Sequence, residues 1–164
     1  MSEVIMIVGL PGSGKTTYAR KLIQEINFAK ILFDDPGTCR KGLDALEEWI
    51  EDGENAVVTD VYGITTAKRT EILDALISWG ATKITWIFFE NNPEACIRNI
   101  KRRNEKDPNY RVVADVTVRE LSLLYQIPDG ATVIPVYSPV VDVNIKGESF
   151  TEQDLIDAGQ DWGE

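Results

Sequence analysis

The sequence predicts an α/β fold: a three-layer sandwich with a central five-stranded, mostly parallel sheet and a helical lid. Three observations predict it. Short apolar runs that read as strands alternate with amphipathic helical segments along most of the chain, the pattern of a parallel sheet covered on both faces. The first run, Val4-Ile5-Met6-Ile7-Val8, is unbroken, as expected of a strand buried on both sides. It stops at a glycine-rich turn that leads directly into a helical pattern. A length of 164 residues suits one domain with a sizeable core.

The elements follow in order. A helix is expected from Lys15 to about Glu25, with Tyr18, Leu22 and Ile26 on one face. Lys30 to Phe33 is a short second strand ending at the turn Asp34-Asp35-Pro36-Gly37. Leu43, Leu46, Trp49 and Ile50 have helical spacing, closed by Asp52-Gly53. Ala56 to Thr59 is a third strand ending at Asp60, and Thr66 to Ser78 a helix with Ile72, Leu73, Leu76 and Ile77 apolar and Gly80 as its stop. Lys83 to Phe89 is the fourth strand. Pro93 opens a helix reaching about Asn104, with Cys96, Ile97 and Ile100 inward. Thr117-x-x-Glu120 reads as a capping box for a helix through Tyr125, and Thr132 to Val136 as the fifth strand. Beyond Ser138 the pattern weakens to a possible edge strand, Val140 to Ile145, and a short acidic helix, Thr151 to Ala158. The division expected is a kinase-type domain over 1–137, its lid at about 92–114, and an acidic extension over 138–164.

Composition excludes several chemistries. There is no histidine, so an imidazole base, a histidine triad and a histidine-ligated metal are absent and a general base should be a carboxylate. Two cysteines, Cys39 and Cys96, argue against a disulfide framework or a structural zinc site and fit a reducing compartment. No apolar run approaches the ~18 residues of a membrane helix, and Met1-Ser2-Glu3 does not open a secretory leader. A cytoplasmic protein without membrane contact is expected, in the host cytoplasm if it is phage-encoded.

The net charge of −10 disfavours a protein that coats nucleic acid. Its distribution is uneven. Seven acids and one base from Asp142 onward hold −6 of it, and Asp44, Glu47, Glu48, Glu51, Asp52 and Glu54 crowd one segment. Bases gather instead at Arg98, Lys101, Arg102, Arg103, Lys106 and Arg111.

Chemistry begins after the first strand. Gly9-Leu10-Pro11-Gly12-Ser13-Gly14-Lys15-Thr16-Thr17 satisfies G-x-x-x-x-G-K-[ST], with a buried strand before it and a helix after it. The glycines let the chain turn so that successive N–H groups, from Leu10 to Thr17, form an anion-binding concavity at a helix N-terminus. Lys15 supplies an ammonium to the β- and γ-phosphates, and the Thr16 hydroxyl can ligate a Mg²⁺ bridging them. The sequence is therefore read as a P-loop NTPase that binds ATP and Mg²⁺.

A switch GTPase should carry N-K-x-D, which is missing, while a small kinase needs carboxylates and cations near the phosphates. In an open parallel sheet such groups collect at the carboxyl ends of strands. Asp34 there is expected as the general base toward the acceptor hydroxyl, with Asp35 shaping the turn. Asp60 is expected to orient the Mg²⁺ shell or Thr16. Arg98 and Arg102, four apart on one helix face, would meet the phosphates when a lid closes and supply charge to the transition state. Lys101, Arg103 and Lys106 read as ordinary surface charge.

These residues together resemble the kinase domain of the phage polynucleotide kinases, within the small P-loop kinase group. The resemblance spans roughly residues 3 to 126. It rests on the loop above, on Asp34-Asp35, and on Val58-Thr59-Asp60 followed by Thr66-Ala67-Lys68-Arg69. It continues through Arg98-Asn99-Ile100-Lys101-Arg102 and Val116-Thr117-Val118-Arg119. It implies Lys15 and Thr16 on the ATP phosphates and Mg²⁺, Asp34 as base toward a 5′-hydroxyl, Asp60 organising the site and Arg102 on the transferring phosphoryl group. Two features depart from the family. The arginine it places three residues after the catalytic aspartate, where it holds the acceptor's phosphate, is Gly37 here, and Arg40 is the nearest substitute. No phosphatase domain follows, so a full end-healing enzyme is not expected.

The leading expectation is thus an ATP-dependent kinase acting on a polynucleotide hydroxyl, with Asp35, Arg40 and Asp60 as acceptor-side candidates. The alternatives are a kinase for a hydroxymethylated base in DNA, or for a nucleoside or small metabolite. A non-catalytic ATP-binding switch is the reading from another class. The partner is a nucleic acid or nucleoside acceptor; adenine against guanine selection and oligomeric state are not encoded in these patterns.

Overall fold

A computed structural model describes residues 2–26, 30–33, 39–60, 63–109 and 113–137, with only the backbone described at 30–33, 39–43 and Asp60. The elements run β1 (Ser2–Val8), α1 (Lys15–Glu25), β2 (Lys30–Phe33), α2 (Cys39–Glu51), β3 (Ala56–Asp60), α3 (Thr66–Trp79), β4 (Ala81–Phe89), α4 (Pro93–Lys106), α5 (Asp115–Leu124) and β5 (Val133–Ile134). The five strands form one sheet in the order β2-β3-β1-β4-β5, and every pairing is parallel. The tail segments expected at 140–145 and 151–158 lie outside the described residues.

β1 is the central strand, and its side chains alternate between the two faces of the sheet. Ile5 and Ile7 pack with Val57, Ile87 and Phe89 against Ala19, Tyr18, Leu22 and Ile26 of the α1 side. Val4 and Met6 pack with Val58 against Leu46 and Ile50 of α2 and Leu76 of α3. These two cores make the three layers. A third cluster gathers at the carboxyl end of the sheet, where Val8 and Phe88 meet Leu10, Ile64, Cys96, Ile97, Ile100, Val118, Tyr125 and Val136. No helix among the described residues is long and apolar enough to cross a membrane.

Several boundaries differ from expectation. β1 and β4 begin earlier, because Ser2 pairs with Ala81 and the strand start is tied down by Ser2 Oγ donating to Glu54 O and by Glu3 N–H donating to Asn55 Oδ1. α4 runs to Lys106 rather than Asn104. The capping box at Thr117 does not form. α5 starts at Asp115 with Ala114 as N-cap and no side-chain cap, and the Thr117 and Val118 N–H groups both donate to Ala114 O. Of the apolar residues of α3, Leu76 is fully buried and Ile77 is 57% exposed. The fifth strand has two paired residues, Val133 with Phe88 and Ile134 with Phe89. Pro135 follows and has no N–H to extend the ladder, and the Val136 N–H turns to Glu90 Oε1 at 3.0 Å.

Candidate active site

The loop between β1 and α1 is enclosed by protein. Residues Gly9 to Thr16 are buried, Lys15 to 1% and Thr16 to 7% exposure. Gly12 and Gly14 have φ of +83° and +101°, conformations that favour glycine. At Gly12 a Cβ would also lie 2.5 Å from Cys96 O, and at Gly14 it would lie 3.1 Å from Tyr137 Cβ. The loop is therefore moulded from outside by α4 and by the segment after β5. Within it, the Ser13 N–H donates to Leu10 O at 3.2 Å and the Tyr18 N–H to Gly14 O at 3.1 Å, the latter opening α1.

The side chains are those of an anion receptor. Lys15 Nζ donates to Gly9 O at 3.0 Å and Leu10 O at 2.9 Å, which folds the ammonium back over its own loop. Ser13 Oγ, Thr16 Oγ1 and Thr17 Oγ1 are buried and make no hydrogen bond among the described residues. Buried hydroxyls are ordinarily satisfied. Three orphaned hydroxyls beside a buried ammonium at a helix N-terminus fit a polyphosphate with a cation on its oxygens. A Mg²⁺ bound here would find an oxygen ligand in the unpartnered Thr16 hydroxyl.

The register places the other candidates. Val8, the last residue before the loop, pairs with Asp60, which therefore ends β3 one strand away, about 4.8 Å in the pairing direction. Phe33 pairs with Thr59, so β2 is one strand further out and ends beside the carboxyl end of β3. Asp34 and Asp35 themselves lie outside the described residues. Arg40 is in the first turn of α2, its backbone alone described.

The two lid arginines are not equivalent. Arg98 is exposed, and its charge, behind the stronger Arg119 contact, helps hold the Glu94 carboxyl below its ordinary range. Arg102 is half-buried and lies close enough to Tyr137 to oppose the upward push that burial gives that phenol. Arg103, read from sequence as surface charge, is half-buried as well, whereas Lys101 is exposed and pairs with Asp115 at 3.2 Å. α4 and α5 are further joined by the Arg119–Glu94 pair and by Asn91 Nδ2 donating to Ser122 O at 2.8 Å.

Three contributors had no role assigned from sequence. Asn99 Nδ2 donates to Gly12 O at 2.9 Å and to Tyr137 O at 2.6 Å. The Tyr137 N–H donates to Ser13 O at 3.2 Å. Arg69 is buried in α3, its Nη1 donating to Gly63 O at 2.9 Å. The available signal was a polar residue inside the apolar stripe of α4, between Ile97 and Ile100.

No family model and no curated protein sequence matches the chain. Solved structures do. The chain is similar to a gluconokinase from Sinorhizobium meliloti 1021, at 15% identity over 83% of each chain with a TM-score of 0.60. It is similar to Chaetomium thermophilum Kti12 in complex with ADP-AlF3, at 14% identity over 98% of this chain and 99% of that one, TM-score 0.59. A chain of the Pnkp1/Rnl/Hen1 RNA repair complex aligns at 14% identity over 74% of this chain and 43% of its own length, TM-score 0.59. At these identities the likeness is one of architecture: the chain has the P-loop α/β fold, a parallel sheet flanked by helices.

Proposed function

We propose that the protein is a kinase that transfers the γ-phosphoryl group of ATP to a hydroxyl of a polynucleotide. The observation that carries this reading is the buried loop, where the Lys15 ammonium and three unpartnered hydroxyls converge at the start of α1. The gluconokinase and RNA repair likenesses support phosphoryl transfer as the reaction class and leave the acceptor to the site itself.

In this reading Lys15 leaves its loop carbonyls to bind the β- and γ-phosphates, and Ser13 and Thr17 donate to phosphate oxygens. Thr16 would ligate a Mg²⁺ with Asp60 orienting its water shell, and the ion would supply neutralisation of charge on the phosphates. Asp34, delivered by β2, accepts the proton of the acceptor hydroxyl as that oxygen bonds to the γ-phosphorus. The bond from that phosphorus to the β–γ bridging oxygen breaks, and ADP leaves. Arg102 stabilises charge on the transferring group from the α4 side, ahead of the more exposed Arg98. Asp35 and Arg40 are acceptor-side contacts.

A small acceptor is the second reading, favoured by the net charge of −10 and by Gly37 in place of a phosphate-holding arginine. The test is transfer of labelled γ-phosphate from ATP with Mg²⁺, with Lys15→Ala as blank. The acceptors would be 5′-hydroxyl DNA and RNA oligomers, free nucleosides, gluconate and duplex DNA with hydroxymethylated bases. Label at a 5′ end is the expected result. Label inside DNA or on a small acceptor would replace the acceptor and keep the donor site, and no transfer to any of them, with ATP bound, would sink the polynucleotide reading.

A further inference from the structure

Asn99 sits in the buried face of α4 beside Cys96 and Ile100, itself 2% exposed. A carboxamide has two N–H donors, and both are directed at main-chain carbonyls, those of Gly12 and Tyr137. Neither carbonyl belongs to a helix or a strand, and each accepts from the Asn99 side chain. The consequence for the loop is geometric. The Gly12–Ser13 peptide is held at both edges, its carbonyl by Asn99 and its N–H by Leu10 O. The Ser13–Gly14 peptide is held by the Tyr137 N–H on Ser13 O. Because a trans peptide points its C=O and N–H in opposite directions, fixing the Ser13 carbonyl outward aims the Gly14 N–H into the concavity.

We propose that Asn99 is a positioning residue for the phosphate loop. It holds the Gly12 peptide directly and the Ser13–Gly14 peptide through the Tyr137 segment, in the orientation that receives a polyphosphate. The inference rests on the nucleotide-binding reading of the loop but not on the identity of the acceptor. Removing the carboxamide would release the Gly12 and Tyr137 carbonyls from Asn99 and let both peptides rotate.

The test is ATP affinity of the full chain between pH 6 and pH 8.5, measured by calorimetry below the melting temperature of each variant. Asn99→Leu should weaken binding at least tenfold at every pH. Asn99→Asp should be equally weak at pH 8.5, where a carboxylate faces two carbonyls. It should recover part of the loss toward pH 6, where the protonated acid regains one O–H donor. The surroundings contribute little to such a profile. Burial raises the pKa of both nearby titratable groups, the Cys96 thiol and the Tyr137 phenol, and the charges acting on them are Lys15, Glu90 and Arg102. With no histidine in the chain, the wild type should show little beyond the titration of ATP itself. Should the Asp variant fail to fold, Asn99→Ser, with one donor, should bind between wild type and the Leu variant. Wild-type affinity in the Leu and Ser variants would overturn the inference alone, and failure of the wild type to bind ATP would overturn it together with the reading of the loop.

Discussion

The Arg69 guanidinium lies over the ring of Phe88, 5.1 Å from its centroid, while donating to Gly63 O and Thr66 Oγ1. A buried cation is costly, and burial lowers its pKa from the ordinary arginine value. The ring face and the two oxygens offset that cost. The turn they organise leads into α3. Gln126 clamps it from the other side, its Oε1 accepting from the Thr66 N–H at 2.9 Å and its N–H donating to Ile64 O at 2.8 Å. Arg69→Met should therefore cost about 2–4 kcal/mol, less than the summed worth of two hydrogen bonds to a charged group and a cation–π contact, because methionine sheds the cost of burying a charge. Urea unfolding should show a lower midpoint at unchanged slope, and a midpoint equal to wild type would refute the role.

Gly12 and Gly80 both have positive φ but different surroundings. A Cβ at Gly80 would meet nothing within 4 Å, whereas at Gly12 it would strike Cys96 O and Ile100. Gly80→Ala should lower stability by about 1 kcal/mol and leave ATP affinity alone. Gly12→Ala should reduce ATP affinity at least tenfold, since either the loop or α4 must shift. Titration of both variants with ATP separates backbone strain from loss of the cradle.

Burial pushes the Cys96 thiol up to about 12 from an ordinary value of 9. Its contribution is therefore complete below pH 9. Between pH 9 and 12 the unfolded chain releases a proton that the folded chain retains, and stability falls as pH rises, by up to ~1.4 kcal/mol per unit. Cys96→Ala should flatten the stability profile between pH 9 and 10. The Tyr125 phenol, raised mainly by burial, should preserve a decline above that range. Equal slopes in variant and wild type would place the thiol in contact with solvent.

Lys15→Ala removes the buried ammonium and Asp34→Asn the proposed proton acceptor, so the two should fail differently. The first should lower transfer by ~100-fold or more and weaken ATP binding. The second should bind ATP normally and lose most of its transfer rate. Single-turnover transfer beside equilibrium binding distinguishes them, and a near-normal rate in Asp34→Asn would exclude that residue as the base.

What could be read from sequence was what local chemistry fixes. The limits of α1 and β2 match expectation to the residue, because a glycine-rich turn and short apolar runs set them. Thr117 misled because a Thr-x-x-Glu spacing also occurs inside a first turn, with Ala114 O already taking the Thr117 N–H that the Glu120 side chain of a capping box would serve. The loop residues and Lys15 were legible for the same local reason. Asn99 was not, since its partners lie 87 and 38 residues away and its role exists only once α4 is laid against the loop. Arg69 reads as a solvated helix charge until the fold sets Phe88 beneath it.

Ala95, Cys96, Ile97, Asn99 and Ile100 are all buried, while Glu105, Lys106 and Asp107 beyond them are exposed. In mechanical terms α4 is a cantilever, clamped in the core along its first two turns, braced at Lys101 by Asp115 and overhanging toward its end. Displacement of such a beam grows with distance from the clamp. Arg102 is two residues past Ile100, about 3 Å along the axis at 1.5 Å per residue, and Lys106 is about 9 Å past it. A swing of the overhang would carry Lys106 widely and Arg102 hardly at all.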